Sequence, residues 1–152
     1  MLMLLFYVGK ERYCVGAERV VEIIPMVALR KVAQAPEWVA GLFNYRGAIV
    51  PAIDLCCLLQ SRPCVSALST RMIVVNYWDE VGGSEQLFAL IAERVTETLS
   101  REAMADMSMA MSLDNPPYLG EIVTDVQGMI QILRVEELGR IYRGKYLLPK
   151  GE

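Results

Sequence analysis

Residues 39–55 read VAGLFNYRGAIVPAIDL, and the fold follows from how that stretch is parsed. Two apolar runs, residues 39–43 and 48–53, flank Asn44-Tyr45-Arg46-Gly47. Asn and Gly between two such runs predict a β-hairpin, because glycine reaches positive φ without a Cβ clash. Arg46 then lies at a tight turn, with its guanidinium directed to water or to a partner. Pro51 has no N–H for a ladder, so the second run reads as an edge or bulged strand. Asp54 ends that run and caps a short helix over Leu55–Gln60. Taken alone, the stretch is an ordinary hairpin with an arginine at its tip.

Working outward, the 152-residue chain is long enough for one domain with a sizeable core. It is 54% hydrophobic and 22% charged, which places it among globular chains. Nine methionines and a mean hydropathy of +0.32 assign some apolar surface to an interface rather than to the core. The net charge of −3, with no long basic run, argues against a phosphate-backbone binder. The apolar start, residues 1–8, lacks a basic leader and is too short to span a bilayer, so neither a signal peptide nor an anchor is expected. The four cysteines, Cys14, Cys56, Cys57 and Cys64, do not fit a zinc spacing, and the chain has no histidine to complete a site. They are expected to be reduced, buried thiols acting as small hydrophobes.

In chain order, Leu2–Val8 and residues 12–15 predict a hairpin around Gly9-Lys10-Glu11. Residues 17–24 have an ambiguous period and stop at Pro25. Residues 29–32 predict a strand, and Pro36-Glu37-Trp38 the first turn of a short helix. Residues 61–69 are a connector. Residues 71–77 and 87–91 predict strands, separated by a loop with Gly82-Gly83. Residues 101–115 read as a Met-rich loop, with Met104 to Met111 at its centre. Residues 118–124 and 129–133 predict a last hairpin, 135–140 a short helix, and 141–152 a tail.

The chain also repeats itself. YCVGAERVVEII from Tyr13 is answered by FALIAERVTETL from Phe88, with Ala, Glu, Arg, Val and a second Glu in register. Gly41 and Gly47 have a weaker echo in Gly120 and Gly128. Half of such a chain has a thin core, so two halves packed together are the natural unit. Short strands punctuated by Gly and Pro then predict an all-β fold with short helices, built as two small barrels related by rough duplication.

These residues carry a resemblance. Gly9-Lys10-Glu11-Arg12-Tyr13, Val20-Val21-Glu22-Ile23-Ile24, the step from Pro36 to Gly41, and Asn44-Tyr45-Arg46-Gly47-Ala48-Ile49-Val50-Pro51-Ala52-Ile53-Asp54-Leu55 follow the pattern of one family. The sequence resembles the CheW family of chemotaxis scaffolding domains, over about residues 2–139. The second half matches less well, through residues 71–75, Gly120 and residues 128–133. Two departures stand out. The family often has Asp in an L-V-D-x-V element where this chain has Ala92-Glu93-Arg94-Val95, and Asp at the end of its last strand where this chain has Arg134.

The resemblance implies two SH3-like five-stranded β-barrel subdomains packed on a shared apolar layer. Residues 1–140 would form a single domain of two interlocked subdomains, with residues 141–152 as a C-terminal tail. It implies a non-enzymatic adaptor that couples the cytoplasmic tips of chemoreceptors to the regulatory domain of a CheA-like histidine kinase. Such a protein is cytoplasmic and is recruited to membrane receptor arrays through protein contacts, without inserting into the membrane or binding nucleic acid. The family's receptor contacts carry over to Val20, Glu22 and Arg46, with Gly41, Asn44 and Gly47 shaping the turn. The kinase contact is made by barrel ends and is not assigned to residues. The same scaffold serving surface motility or biofilm signalling is the alternative.

The residues themselves agree with a scaffold. There is no histidine for acid–base work near neutral pH, no Gly-rich phosphate loop and no activating neighbour for a cysteine nucleophile. No catalytic residue, cofactor or metal is expected. A small-barrel nucleic-acid binder, stacking bases on Tyr7, Tyr13, Tyr45 and Tyr77, is the less favoured reading, since the acidic balance lacks its electrostatic footprint.

Overall fold

The first strand is apolar along almost its whole length, LMLLFYV, which a strand with one wet face does not require. The computed structural model accounts for it. The structure describes residues 1–80, 82–106 and 115–145, with side chains up to Tyr142. In chain order the elements are β1 (Leu2–Val8), β2 (Glu11–Gly16), β3 (Val20–Pro25), β4 (Val39–Tyr45), β5 (Ala48–Asp54), α1 (Leu55–Gln60), β6 (Arg71–Asp79), β7 (Ser84–Ala92), β8 (Arg94–Ser100), β9 (Ala105–Asp106), β10 (Leu119–Asp125), β11 (Gly128–Leu133) and α2 (Val135–Lys145). Single 3-10 turns at Ala17–Arg19 and Arg101–Ala103 precede β3 and β9.

The strands form two sheets, ordered β8-β1-β2-β11-β10-β9 and β3-β6-β7-β5-β4. Exchange β1, β2, β3, β4 and β5 for β6, β7, β8, β10 and β11, and the order of the second sheet becomes that of the first without its edge strand β9. The two parallel junctions, β5 with β7 and β11 with β2, exchange under the same operation. The duplication read from the sequence is therefore present in the topology, and the halves are interleaved: each sheet takes strands from both. Each AERV copy sits where the chain leaves one sheet for the other, between β2 and β3 and between β7 and β8.

Interleaving buries both faces of the first hairpin of each half. From β1, Leu4, Phe6 and Val8 enter the layer between the sheets, while Met3 and Leu5 point into the first sheet's own core with Cys14, Met104, Val123 and Ile130. From β6, Ile73, Val75 and Tyr77 enter the shared layer, while Met72 and Val74 pack with Phe43, Tyr45, Val50 and Ala52 inside the second sheet. A continuous apolar run is thus what these strands need.

Helix α2 packs on β6 so closely that a Cβ at Gly139 would lie 2.6 Å from the Tyr77 ring. The ladder registers make Val8 the counterpart of Tyr77, and Leu59 of α1 stands where α2 has Gly139. Both Val8 and Leu59 belong to the shared layer. Each half thus fills this contact with one large and one small residue, the large one on the strand in one half and on the helix in the other.

Several expectations are corrected. Residues 29–32 form no strand, only a single bridge between Arg30 and Leu42. Pro36 starts a turn, with Val39 N donating to Pro36 O, and no helix follows. Helix α2 continues past Arg140 to Lys145. The glycine echo is out of register by one residue, because Asp125 pairs Gly128 as Tyr45 pairs Ala48, so Gly128 matches Ala48. Met104 is buried, and the rest of the Met-rich loop, from Met107 to Met111, lies outside the described residues.

Pro51 fits its place. The β7 ladder begins at Ala52, so β5 is an edge strand up to Pro51 and an interior one beyond it. The cysteines are not all free. Cys56 and Cys64 form a disulfide, leaving Cys14 and Cys57 as thiols. Sequence spacing could not show that the connector after α1 folds back to bring Cys64 onto Cys56.

Candidate protein-docking site

The turn that joins β4 to β5 is Arg46-Gly47, and both residues have positive φ, 51° and 88°. Two consecutive left-handed residues give the turn whose twist matches the strands. Gly47 adopts this freely. Arg46 does so at a cost of roughly 1 kcal/mol, since its Cβ crowds the carbonyl. Asn44 holds the turn closed by accepting the Gly47 N–H at 2.9 Å. Gly41 does not shape the turn. A Cβ there would lie 2.7 Å from the Arg30 carbonyl oxygen, so its role is to let residues 29–30 approach β4.

The hairpin tip reaches across to β3, which shares no backbone ladder with β4 although each is an edge of the same sheet. The closure is made by side chains. Arg46 donates to Glu22 at 2.8 Å, and the Tyr45 hydroxyl donates to the same carboxylate oxygen. The Arg46 guanidinium also lies over the Tyr45 ring, 5.0 Å from its centre. The hydrogen bond to Glu22 pushes the Tyr45 phenol up. Tyr45 is buried among Phe43 and Val50, whereas the Arg46 side chain is 70% exposed and that of Glu22 39%. The cluster therefore anchors on a buried ring and presents its charges to solvent.

Of the residues assigned by resemblance, the structure brings Glu22 and Arg46 together. Val20 lies apart from them, half-buried and packed against the shared core layer. The outward positions of β3 are Val21 and Ile23, both exposed, and Ile49 is exposed close to the hairpin tip. A β-bulge between Val20 and Glu22 breaks the period-two alternation, so Val20 packs on the shared layer while Ile24 packs on the second sheet's own core. No sequence signal pointed to Tyr45 as a partner of Glu22.

The proposed base-stacking tyrosines do not form a platform. Tyr45 and Tyr77 are buried, Tyr13 stacks on Phe6, and Tyr7 is covered by Arg94 at 4.0 Å. Among the described residues, the grouping that could hold a metal is Asp54, Cys56 and Cys64. The two sulfurs are joined to each other, and the carboxylate is taken up by the backbone N–H groups of Cys56, Cys57 and Cys64. No helix among the described residues is long and apolar enough to cross a membrane.

Known proteins give a consistent set of likenesses. The family model of the CheW-like domain matches residues 2–141. The chain is 27% identical over 134 residues to the chemotaxis protein CheW of Helicobacter pylori, covering 88% of this chain and 78% of that one. It is 30% identical over 100 residues to the chemotaxis protein CheW of Klebsiella aerogenes, covering 66% of this chain and 57% of that one. The crystal structure of scaffolding protein TtCheW from Thermoanaerobacter tengcongensis superposes with a TM-score of 0.77 at 23% identity, covering 97% of this chain and 93% of that chain. That likeness extends to the whole fold.

Proposed function

The chain belongs to the CheW-like domain family, and we propose that it is a non-enzymatic chemotaxis adaptor. It couples the cytoplasmic tips of chemoreceptors to the regulatory domain of a CheA-like histidine kinase. Residues 1–140 act as one rigid body of two interlocked SH3-like subdomains, so that two partners bound at different surfaces are held at fixed spacing. Many weak contacts held together this way raise effective concentration and couple receptor state to kinase activity. The protein reaches membrane receptor arrays through its partners.

The observation that supports this reading is the Glu22–Tyr45–Arg46 cluster, which presents its charges to solvent at the β4–β5 tip. A charge pair of defined geometry sets register and encounter rate for a receptor helix. Val20, Glu22 and Arg46 contact the receptor, Val20 with the part of its side chain that β3 leaves exposed. The kinase docks on a barrel end.

The test uses two titrations, one with a receptor tip and one with the kinase regulatory domain. Glu22→Arg is expected to weaken the receptor titration by about tenfold or more, with kinase binding retained. Equal weakening of both would show a general loss of fold, and an unchanged receptor titration would remove the cluster from the interface.

A further inference from the structure

Residues 61–70, between α1 and β6, wall off two clefts. One, of about 740 Å³, is lined by this segment together with Val27, Leu29, Pro36 and Cys57. The other, of about 450 Å³, is lined by the same segment and Tyr7, Lys10 and Arg94. Val65 and Thr70 face both. The wall has little apolar hold on the body. Leu68 is 94% exposed and Val65 59%, and Cys64 is the one residue of the segment that packs against the described core clusters. Its remaining anchors are polar. Cys64 N donates to Asp54 at 3.1 Å, Val65 N donates to Glu93 at 2.7 Å, and Arg62 forms two bonds to Glu93.

We propose that the Cys56–Cys64 disulfide is a reversible redox strap: oxidised, it fixes residues 61–70 as the wall between the two clefts, and reduced, it releases that wall. Cys56 is fully buried, whereas Cys64 lines the larger cleft, so a thiol reaches the bond from one side. A dithiol reductant attacks Cys64 Sγ as its thiolate and forms a mixed disulfide. The Cys56–Cys64 bond breaks with its electron pair on Cys56 Sγ, which takes up a proton. The second thiol of the reductant then attacks the sulfur of the mixed disulfide that belongs to the reductant. This closes the oxidised reductant and frees Cys64 as a thiol. Two electrons and two protons pass to the protein, and a disulfide donor reverses the sequence. Neighbouring Cys57 does not scramble the bond, because burial, with Asp54 beside it, pushes its thiol up to about 11 and keeps it protonated.

The test is amide hydrogen exchange of the whole chain, oxidised and then treated with excess reduced dithiothreitol. Peptides over residues 61–70 are expected to exchange about tenfold faster after reduction, because local opening is no longer restrained by a covalent tie. Peptides of β6 and β7 stay unchanged, and reoxidation restores the slow pattern. Cys64→Ser shows the fast pattern without reductant, and Cys56→Ala gives the same result if Ser at position 64 disturbs the fold. Four thiols in protein unfolded without reductant would overturn the proposal, as would a bond that resists dithiol until the protein unfolds. Equal exchange in the two redox states would do the same. Tight capture of a zinc ion by the reduced protein, lost in Cys64→Ser, would replace the strap with a metal site.

Discussion

The two hairpin tips occupy equivalent places in the duplicated scaffold and handle charge in opposite ways. At the β4–β5 tip, Tyr45 and Arg46 meet Glu22 in the open. At the β10–β11 tip, the residue matching Tyr45 is Asp125, and it is gripped by Arg12 from β2. Arg12 Nη1 donates to Asp125 at 3.0 Å, and Nη2 bonds both the other carboxylate oxygen and the Gly128 carbonyl. Both side chains of that pair are 8% exposed. The position matching Arg46 is Val126, fully exposed, and that matching Ile49 is Met129, also exposed. One copy thus keeps its charges available at the surface, and the other sinks them into the fold and shows apolar side chains instead. The same backbone exposes a charge pair at one end and buries one at the other.

The sharpest way to break this contrast is to remove Arg12. Arg12→Met keeps much of the aliphatic stem and leaves Asp125 buried without its partner. The expected loss is about 3 kcal/mol, at the low end for opening a buried pair. Chemical denaturation measures it. Replacing Asp125 by Leu in the same chain should recover part of the loss, because no uncompensated charge then remains. If Arg12→Met costs no more than an exposed pair, the two tips are energetically alike and the contrast fails.

The helices give a second contrast of the same kind. Gly139→Ala forces a Cβ against the buried Tyr77 ring. Overpacking of this sort costs about 1–3 kcal/mol, and the gain in helix propensity of roughly 1 kcal/mol offsets only part of it. A net loss of about 1–2 kcal/mol is expected. Gly139→Leu with Tyr77→Val copies the Leu59 and Val8 of the other half. That pair should be more stable than Gly139→Leu alone, and if it is not, the halves do not fill this contact by compensation.

Acid should loosen the second AERV copy more gently. Glu93, in the second copy, accepts from Arg62, Gly9 N and Val65 N, and the Arg62 bond leads in lowering it from 4.5 to about 2. A carboxylate held low in the folded state stabilises the fold fully above its unfolded value, and that contribution is lost as pH falls through the folded one. Stability should therefore decline between about pH 4.5 and pH 2. Glu93→Gln should flatten that decline, measured by thermal unfolding across the range.

How far the sequence reaches depends on whether a feature is local. The β4–β5 hairpin and the Asp54 cap were legible because Asn-x-x-Gly and a capping aspartate act within a few residues. The duplication was legible because AERV keeps its spacing. The exchange of strands between halves was not, since period and propensity say nothing about which edge a hairpin joins. The Cys56–Cys64 bond was missed for the same reason, as it depends on where the loop after α1 returns. At the site, Glu22 and Arg46 came from a resemblance to a family pattern. Tyr45, which accompanies Arg46 on Glu22, needed the distance across two edge strands.

The smallest effect on stability, with the largest consequence for recognition, is expected at Arg46. Its exposed pair with Glu22 contributes at most about 1 kcal/mol. Its left-handed backbone opposes that with a similar cost, about 1 kcal/mol. Arg46→Glu keeps the strained backbone and reverses the charge beside Glu22, so repulsion and lost pairing should total no more than about 0.5–1 kcal/mol at such an exposed position. Arg46→Asn loses the pair but adopts positive φ more readily, so its stability should stay within about 0.5 kcal/mol of the parent, or rise. Receptor-tip binding should weaken in both variants, more in Glu than in Asn, because only Glu adds repulsion. Thermal unfolding beside receptor titration separates the two quantities. If Arg46→Asn binds as the parent does, Arg46 serves only to hold Glu22. If Arg46→Asn unfolds several degrees lower, the arginine closes the barrel, and the first hairpin tip is as structural as the second.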